Sequence, residues 1–227
     1  MKEIMSFLRQ LQMNNNTEWF HAHRAEYEHA KAKFNVIAER IIAGVASFDP
    51  SVGNLELKDC TYRINRDIRF SLDKSPYKTH FGVFVCPGGK KSGKAGYYFH
   101  ISPNEGTYPD GCMLAIGHYC YDKNVVQIVR EDIEDEGEKF DAMIQTAAKY
   151  GFDLDHSDDL KKVPRGFSAD SPYADYLKLK AYCLWCPLSE ELVYADDMVE
   201  RVLELFKVNK PFNDYLNRVI EYSREED

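Results

Sequence analysis

The side chains best suited to bind a ligand or to move a proton are concentrated between residues 62 and 81. This run contains five cations and two carboxylates, and its other polar side chains include Asn65, Ser75 and His80. The candidate site residues are Arg63, Asn65, Arg66, Asp67, Arg69, Asp73, Lys74, Ser75, Lys78 and His80. Guanidinium and ammonium groups in excess over carboxylates suit phosphate or carboxylate ligands, and arginine can bind both bidentately. The run therefore predicts a site for a small phosphate-bearing or otherwise anionic ligand.

Each of these side chains can be given a role at such a site. We expect the anion to be bound by Arg63, Asn65, Arg66, Arg69, Lys74, Ser75 and Lys78. Hydrolysis or group transfer at the same site would use Asp67, Asp73 and His80 for proton transfer. Asp67 and Asp73 could instead hold a divalent metal, but no third ligand motif accompanies them, so no metal is assigned and the cofactor stays open.

Two other interpretations compete with the ligand site. In the first, the carboxylates pair with the arginines only to hold the structure together, which would leave no open cation. In the second, the protein is non-catalytic and docks an acidic partner or a nucleic-acid end through these cations. A deep polar pocket would favour the ligand site. An exposed aromatic surface beside the arginines would favour docking, because single strands need stacking platforms.

The distribution of charge limits the size of the ligand. The chain has 29 Lys and Arg against 37 Asp and Glu, a net charge of −8. Residues 58–94, however, contain nine basic and three acidic side chains. We call residues 58–94 the basic island. A basic island on an acidic molecule indicates a confined anion site, and extended nucleic-acid binding is not expected.

Two further motifs do not have the context that their chemistry needs. Gly88, Gly93 and Lys94 have the spacing of a phosphate-binding P-loop, but Ala95 replaces the required Ser or Thr, and a strand-like segment follows instead of a helix. Cys183 and Cys186 form a C-x-x-C pair in a strand-like run, where positions three apart point to opposite faces. We interpret these two cysteines as buried structural thiols.

The elements that position residues 62–81 are predicted to be strands and a loop. Residues 62–70 alternate as a strand does, with Tyr62, Ile64, Ile68 and Phe70 on one face, and Arg66 breaks the pattern. Residues 71–78 have the composition of a loop, and a new strand begins at Phe81. Strand signals extend over residues 55–119 and return at residues 181–188, which predicts a mainly antiparallel sheet.

Helices are predicted on both sides of this region. Their apolar spacing indicates helices at 3–12, at 18–47, on either side of a break at 134–138, and at 196–207 and 211–223. Residues 152–170 look irregular. The expected fold is α+β, a central antiparallel sheet covered by N- and C-terminal helices, in a single domain over residues 1–227.

No apolar run is long enough to span a bilayer, and no signal sequence begins at Met1. We therefore expect a cytoplasmic protein with no membrane partner, whose six cysteines remain reduced. The oligomeric state stays open.

The segment from Arg63 to Thr79, which reads RINRDIRFSLDKSPYKT, closely resembles a bacterial family of uncharacterised proteins, domain of unknown function 2461. Further similarity lies at residues 15–20, 96–100, 164–167 and 211–216, so the resemblance covers nearly the whole chain. It implies a single α+β domain. It implies no activity and no catalytic residue.

Overall fold

The computed structural model describes residues 1–104, 111–119 and 122–225. Within these ranges the helices are α1 (Lys2–Met13), α2 (Thr17–Ala22), α3 (Arg24–Phe48), α4 (Leu57–Cys60), α5 (Lys123–Ala148), α6 (Ala174–Leu177), α7 (Glu190–Tyr194), α8 (Met198–Val208) and α9 (Lys210–Glu225). The strands are β1 (Phe81–Val85), β2 (Gly96–Ile101), β3 (Met113–His118), β4 (Asp153–Leu154) and β5 (Tyr182–Pro187). A short 3-10 turn follows α3 at Pro50–Val52.

The strands form one antiparallel sheet in the order β1-β2-β3-β5-β4. The predicted α+β class, with its central antiparallel sheet between N- and C-terminal helices, is confirmed. The strands predicted from Phe81 onward and at residues 181–188 are found at those places. The pair Asp153–Leu154 adds a fifth strand, in a stretch that was predicted to be irregular.

Local sequence explains where helices α2 and α5 begin. The side chain of Asn16 accepts a hydrogen bond from the Trp19 amide and caps α2, and Asp122 caps α5 in the same way. The predicted helix over 18–47 is interrupted at His23, whose backbone is not helical. The predicted break at 134–138 is a kink within one helix, because only Glu136 leaves the helical conformation.

The helices cover one face of the sheet. On that face alternate strand residues such as Val83, Phe99, Leu114 and Leu184 are completely buried in the hydrophobic core. Helices α3 and α9 contact β1 and β3 directly, and α5 and α8 pack against them. The opposite face carries the other half of each strand, and the candidate site lies there.

The strand predicted over residues 62–70 is wrong. This segment is irregular apart from isolated bridges between Thr61 and Val83 and between Asn65 and Tyr77. Its alternation does not mark a buried face, because Phe70 is fully exposed. The sheet therefore begins at Phe81, and the preceding α4 is helical where a strand was expected.

None of the helices in the described ranges is both long and apolar enough to cross a membrane.

Candidate functional site

Residues 62–78 form an arm that leaves the sheet and returns to it. Its two sides are joined at the base, where the Arg66 amide donates to the Pro76 carbonyl (2.9 Å) and the Lys78 amide donates to the Ile64 carbonyl (2.8 Å). The side chain of Asn15 holds the base by donating to the Tyr77 carbonyl (2.8 Å) and accepting from the Tyr77 amide (3.1 Å). The base of the arm is therefore fixed to the body of the protein.

An ion pair braces the inside of the arm. The half-buried guanidinium of Arg66 pairs with Asp73 and also donates to the Ser75 carbonyl (3.3 Å). Asp73 Oδ1 accepts hydrogen bonds from the Ser75 amide (2.9 Å) and hydroxyl (2.6 Å). The Ser75 bonds and then Arg66 hold the pKa of Asp73 well below its usual range. Arg66, which broke the predicted strand pattern, is thus the residue that crosses the arm.

Further polar contacts lie on the outer part of the arm. Asp67 accepts a bidentate pair from Arg69, at 2.9 Å from Nε and 2.6 Å from Nη2. These bonds lower the pKa of the Asp67 carboxyl. Lys74 Nζ donates to the Ile68 carbonyl (3.0 Å). Six of the ten predicted site residues therefore have their side chains bound to other groups of the arm itself.

A cavity of about 230 Å³ lies on the open face of the sheet, beside the base of the arm. It is lined by Tyr62, Lys78, His80, Phe84, Gly96, Tyr98, Met113, Ala115, Ile116, Gly117, Tyr119 and Cys183. The strand register brings much of the floor together, because Phe84 pairs with Tyr98 and Tyr98 with Ala115. The rings of Phe84 and Tyr119 meet edge to face at 6.0 Å. The rings of Tyr62, Phe84, Tyr98 and Tyr119 are thus all part of the wall.

The position of Tyr98 depends on a glycine in the neighbouring strand. A Cβ at Gly82 would lie 2.5 Å from the Tyr98 hydroxyl oxygen, so the ring can lie over this position only because no side chain is there. The Tyr98 hydroxyl is hydrogen-bonded to His100 Nδ1 (2.9 Å). Burial raises the pKa of Tyr98, so its hydroxyl remains protonated at neutral pH.

Two of the predicted site residues, Lys78 and His80, line the cavity. Lys78 Nζ lies 5.2 Å from the centre of the Tyr62 ring. Burial and the nearby Arg63 lower the pKa of Lys78. Burial, Lys78 and Arg66 together lower the pKa of His80 to about 4, so its imidazole is neutral at pH 7.

The His80 ring lies against a second histidine. Its centre is 4.5 Å from that of His100. Burial and the proximity of His80 lower the pKa of His100 to about 3. The cavity wall therefore contains the neutral imidazole of His80. This ring lies against the neutral imidazole of His100, which is connected to the Tyr98 hydroxyl.

The predicted site residues thus divide into three groups. Arg66, Asp67, Arg69, Asp73, Lys74 and Ser75 organise the arm, and none of them lines the cavity. Lys78 and His80 line it, and Arg63 with Asn65 lies at the exposed base of the arm. Among the described residues neither Arg63 nor Lys78 has an ion-pair partner. Lys74 has none either, and its ammonium group donates to the Ile68 carbonyl. The ion pairs of the arm therefore leave three cations without an ion-pair partner among the described residues.

The sequence reasoning missed most of the cavity wall. Tyr62, Phe84, Tyr98 and Tyr119 were not assigned to the site, and neither was His100. One signal was present: in residues 96–101, Tyr98 and His100 alternate with the core residues Tyr97, Phe99 and Ile101. Two polar-tipped side chains on the face away from the core mark a sheet face that is not covered by helices.

In the described part of the chain no three His, Cys, Asp or Glu side chains come close enough together to hold a metal ion. Cys183 and Cys186 are free, and burial raises their pKa values to about 12 and about 11. Of the six cysteines in the sequence, Cys120 lies outside the described residues.

The sequence profile of the conserved hypothetical protein family DUF2461 matches residues 3–215. The chain belongs to this family. The match includes the whole arm, all the described cavity residues and the first six residues of α9. The curated proteins contain no match to this chain, and neither do the solved structures.

Proposed function

We propose that the cavity binds a small organic anion, and that Lys78 binds its charged group. The observation that carries this proposal is a half-buried ammonium group in a cavity wall, with no ion-pair partner among the described residues. Burial of an unpaired charge is unfavourable, and the lowered pKa of Lys78 reflects it. A carboxylate or phosphate beside Nζ would relieve this cost.

The rest of the wall indicates what the anionic group is attached to. Phe84, Met113 and Ala115 provide apolar surface, and the Tyr62 and Tyr98 rings add aromatic faces with hydroxyl groups. Ligand sites commonly combine a mostly apolar wall with a few polar groups that fix orientation. The cavity volume of about 230 Å³ suits a small molecule with a planar or apolar body.

The chemistry proposed for the bound ligand is hydrolysis or group transfer, with His80 as the proton-transfer group. His80 is neutral in the free protein and can accept a proton. An anion bound beside Lys78 would raise the pKa of His80 by offsetting the cations that lower it. Asp67 and Asp73 were also expected to transfer protons, but their contacts with Arg69 and Arg66 support a role in holding the arm.

The alternative is docking of an acidic partner or a nucleic-acid end through the basic island. One feature favours it, the fully exposed ring of Phe70 beside Arg69. We place it second because it does not account for the cavity or for Lys78 in its wall. The cytoplasmic location expected from the sequence stays a prediction in either case.

Thermal unfolding in the presence of small anions tests the proposal. The panel comprises inorganic phosphate, nucleoside monophosphates, sugar phosphates, and aromatic and aliphatic carboxylates. A ligand at about one hundred times its Kd adds roughly 2.7 kcal/mol of stability, which raises the Tm of a domain of this size by roughly 5–10 °C. We expect such a rise with one ligand class for the parent protein.

Two lysine variants separate the cavity from the arm. Lys78→Met should abolish the rise, because it removes the charge from the cavity wall. Lys74→Met removes the same charge from the same arm, outside the cavity, and should preserve the rise. Equal responses of both variants, or no rise with any anion, would reject the cavity as the binding site.

A further inference from the structure

Two large apolar side chains project from the tip of the arm. The Phe70 side chain is 95% exposed, and Leu72 is fully exposed at 102%. Side chains this exposed have no neighbours that shield them, so the tip is convex. Single apolar residues scattered over a protein surface are common. Phe70 and Leu72, in contrast, are separated by one residue on a protrusion and form a local apolar surface exposed to water.

The arm is held in shape up to this tip. The Arg66–Asp73 pair joins its two sides, and the Ser71 hydroxyl accepts from Arg66 Nη2 (3.3 Å). Lys74 adds a bond to the Ile68 carbonyl. These contacts lie directly beside Phe70 and Leu72. The tip is therefore presented by a braced loop, which reduces the conformational entropy that binding would remove.

The surroundings of the tip are basic. Residues 62–78 contain five cations and two carboxylates. Both carboxylates are paired, Asp67 with Arg69 and Asp73 with Arg66. Lys74, close to the tip, and Arg63, near the base, have no ion-pair partner among the described residues. The tip therefore combines apolar side chains with uncompensated positive charge.

We propose that the tip of the arm inserts into the interface of an anionic lipid bilayer. Phe70 and Leu72 would enter the boundary between headgroups and acyl chains, and Lys74 and Arg63 would contact the anionic headgroups. The expectation of no membrane partner was based on the lack of a spanning segment, and insertion of a loop tip requires none. The inference does not depend on the cavity.

The shape and chemistry of the tip favour a bilayer over other anionic partners. A single-stranded nucleic acid would stack on Phe70 but would gain nothing comparable from Leu72. A protein would need a pocket complementary to the protrusion and a much larger contact area. A bilayer accepts a convex tip without a preformed pocket. The acidic remainder of the molecule opposes this contact only weakly, because charges farther than about 8 Å are largely screened at physiological salt.

Vesicle flotation tests the proposal with the full chain. The probes are phosphatidylcholine vesicles with and without phosphatidylserine. The parent protein should float with the anionic vesicles, and Phe70→Ser combined with Leu72→Ser should reduce its partition at least tenfold. Met13→Ser, which replaces an exposed apolar side chain on α1, should leave the partition unchanged. Lys74→Gln should reduce it roughly fivefold, the effect of about 1 kcal/mol per cation near the surface.

A Phe70→Trp variant provides a second measurement. Its emission should shift to shorter wavelength on addition of anionic vesicles, by more than that of the parent with its two native tryptophans. Equal flotation of the tip variant and the parent, or no flotation with either vesicle, would overturn the proposal. Binding of a short single-stranded oligonucleotide that is lost in the tip variant, without vesicle binding, would also overturn it in favour of nucleic acid. These results are independent of Lys78→Met and the anion panel.

Discussion

Replacing His80 should weaken the dependence of stability on pH. Burial holds the pKa of His80 at about 4 and that of His100 at about 3 in the folded protein, against 6.5 for an ordinary histidine. Between these values the unfolded chain binds a proton at each histidine and the folded protein does not. Stability therefore decreases as the pH is lowered from about 7 towards 4.

The size of the effect follows from the pKa values. Between pH 7 and pH 5 an unfolded histidine with a pKa of 6.5 becomes almost fully protonated, whereas His80 at about 4 remains neutral. Integrating the difference in bound protons gives a loss of about 2 kcal/mol of unfolding free energy for this one side chain. His100 contributes a similar loss over the same interval.

Urea unfolding at pH 7, 6 and 5 measures this effect. The quantity to compare is the change in unfolding free energy between pH 7 and pH 5, which is independent of how much each variant is destabilised at pH 7. For His80→Asn this change should be smaller than that of the parent by about 2 kcal/mol. His21→Asn, on the exposed surface of α2, replaces a histidine outside the cavity and serves as the control.

A His80→Asn variant that loses as much stability as the parent between pH 7 and pH 5 would refute this reasoning. It would mean that His80 binds its proton equally well in the folded protein, so that neither burial nor the nearby cations disfavour its charged form. His100→Asn provides a second test, because its ring is buried and contacts His80. The same result for both variants would reject a pair of neutral imidazoles formed by His80 in the cavity wall and His100 beside it.

Two further predictions concern the arm and the floor of the cavity. Arg66→Ala should expose the arm to chymotrypsin, with cleavage at Phe70 several-fold faster than in the parent, because the brace between the two sides is lost. Arg69→Ala, which removes a contact confined to the outer arm, should change the cleavage rate much less; equal rates for the two variants would contradict the bracing role. Gly82→Ala should lower the unfolding free energy by about 1–3 kcal/mol, because the new Cβ meets the Tyr98 ring. In a Tyr98→Ala background the same change should cost clearly less in urea unfolding, and additive effects would show that the overlap is elsewhere.

The sequence predicted the fold well where a single physical signal dominated. Amphipathic spacing located the terminal helices, and the strand signals over residues 55–119 include β1, β2 and β3. Asn16 and Asp122 begin their helices by a local rule, because their side chains accept hydrogen bonds from helix amides. The prediction of a strand at 62–70 was wrong for a physical reason. Alternating side chains fit a strand, but they do not show that a second strand is available to pair with it. Within residues 62–70 only Asn65 forms a β-bridge, and its partner, Tyr77, belongs to the arm itself.

The candidate site was harder to predict than the fold. The charged side chains between residues 62 and 81 are unusually dense, but most of them pair with one another. The density of charged residues in a sequence does not distinguish ion pairs that hold a loop together from a ligand-binding site. The cavity wall combines residues that are far apart in sequence, such as Tyr62, Phe84 and Tyr119. Strand register brings Phe84 beside Tyr98, and a single sequence does not specify register across loops. Lys78 and His80 line the cavity because they lie where the arm rejoins the sheet.

The arrangement of the sheet has a consequence for how the protein behaves at high concentration. Exposed edge strands with free amide and carbonyl groups promote edge-to-edge pairing between molecules, which leads to aggregation. Here one edge strand, β1, meets Thr61 through a bridge to Val83 and is contacted by α4. The other edge strand, β4, is only two residues long. Both edges therefore offer little backbone to another chain, and we expect edge-to-edge pairing between molecules to be weak.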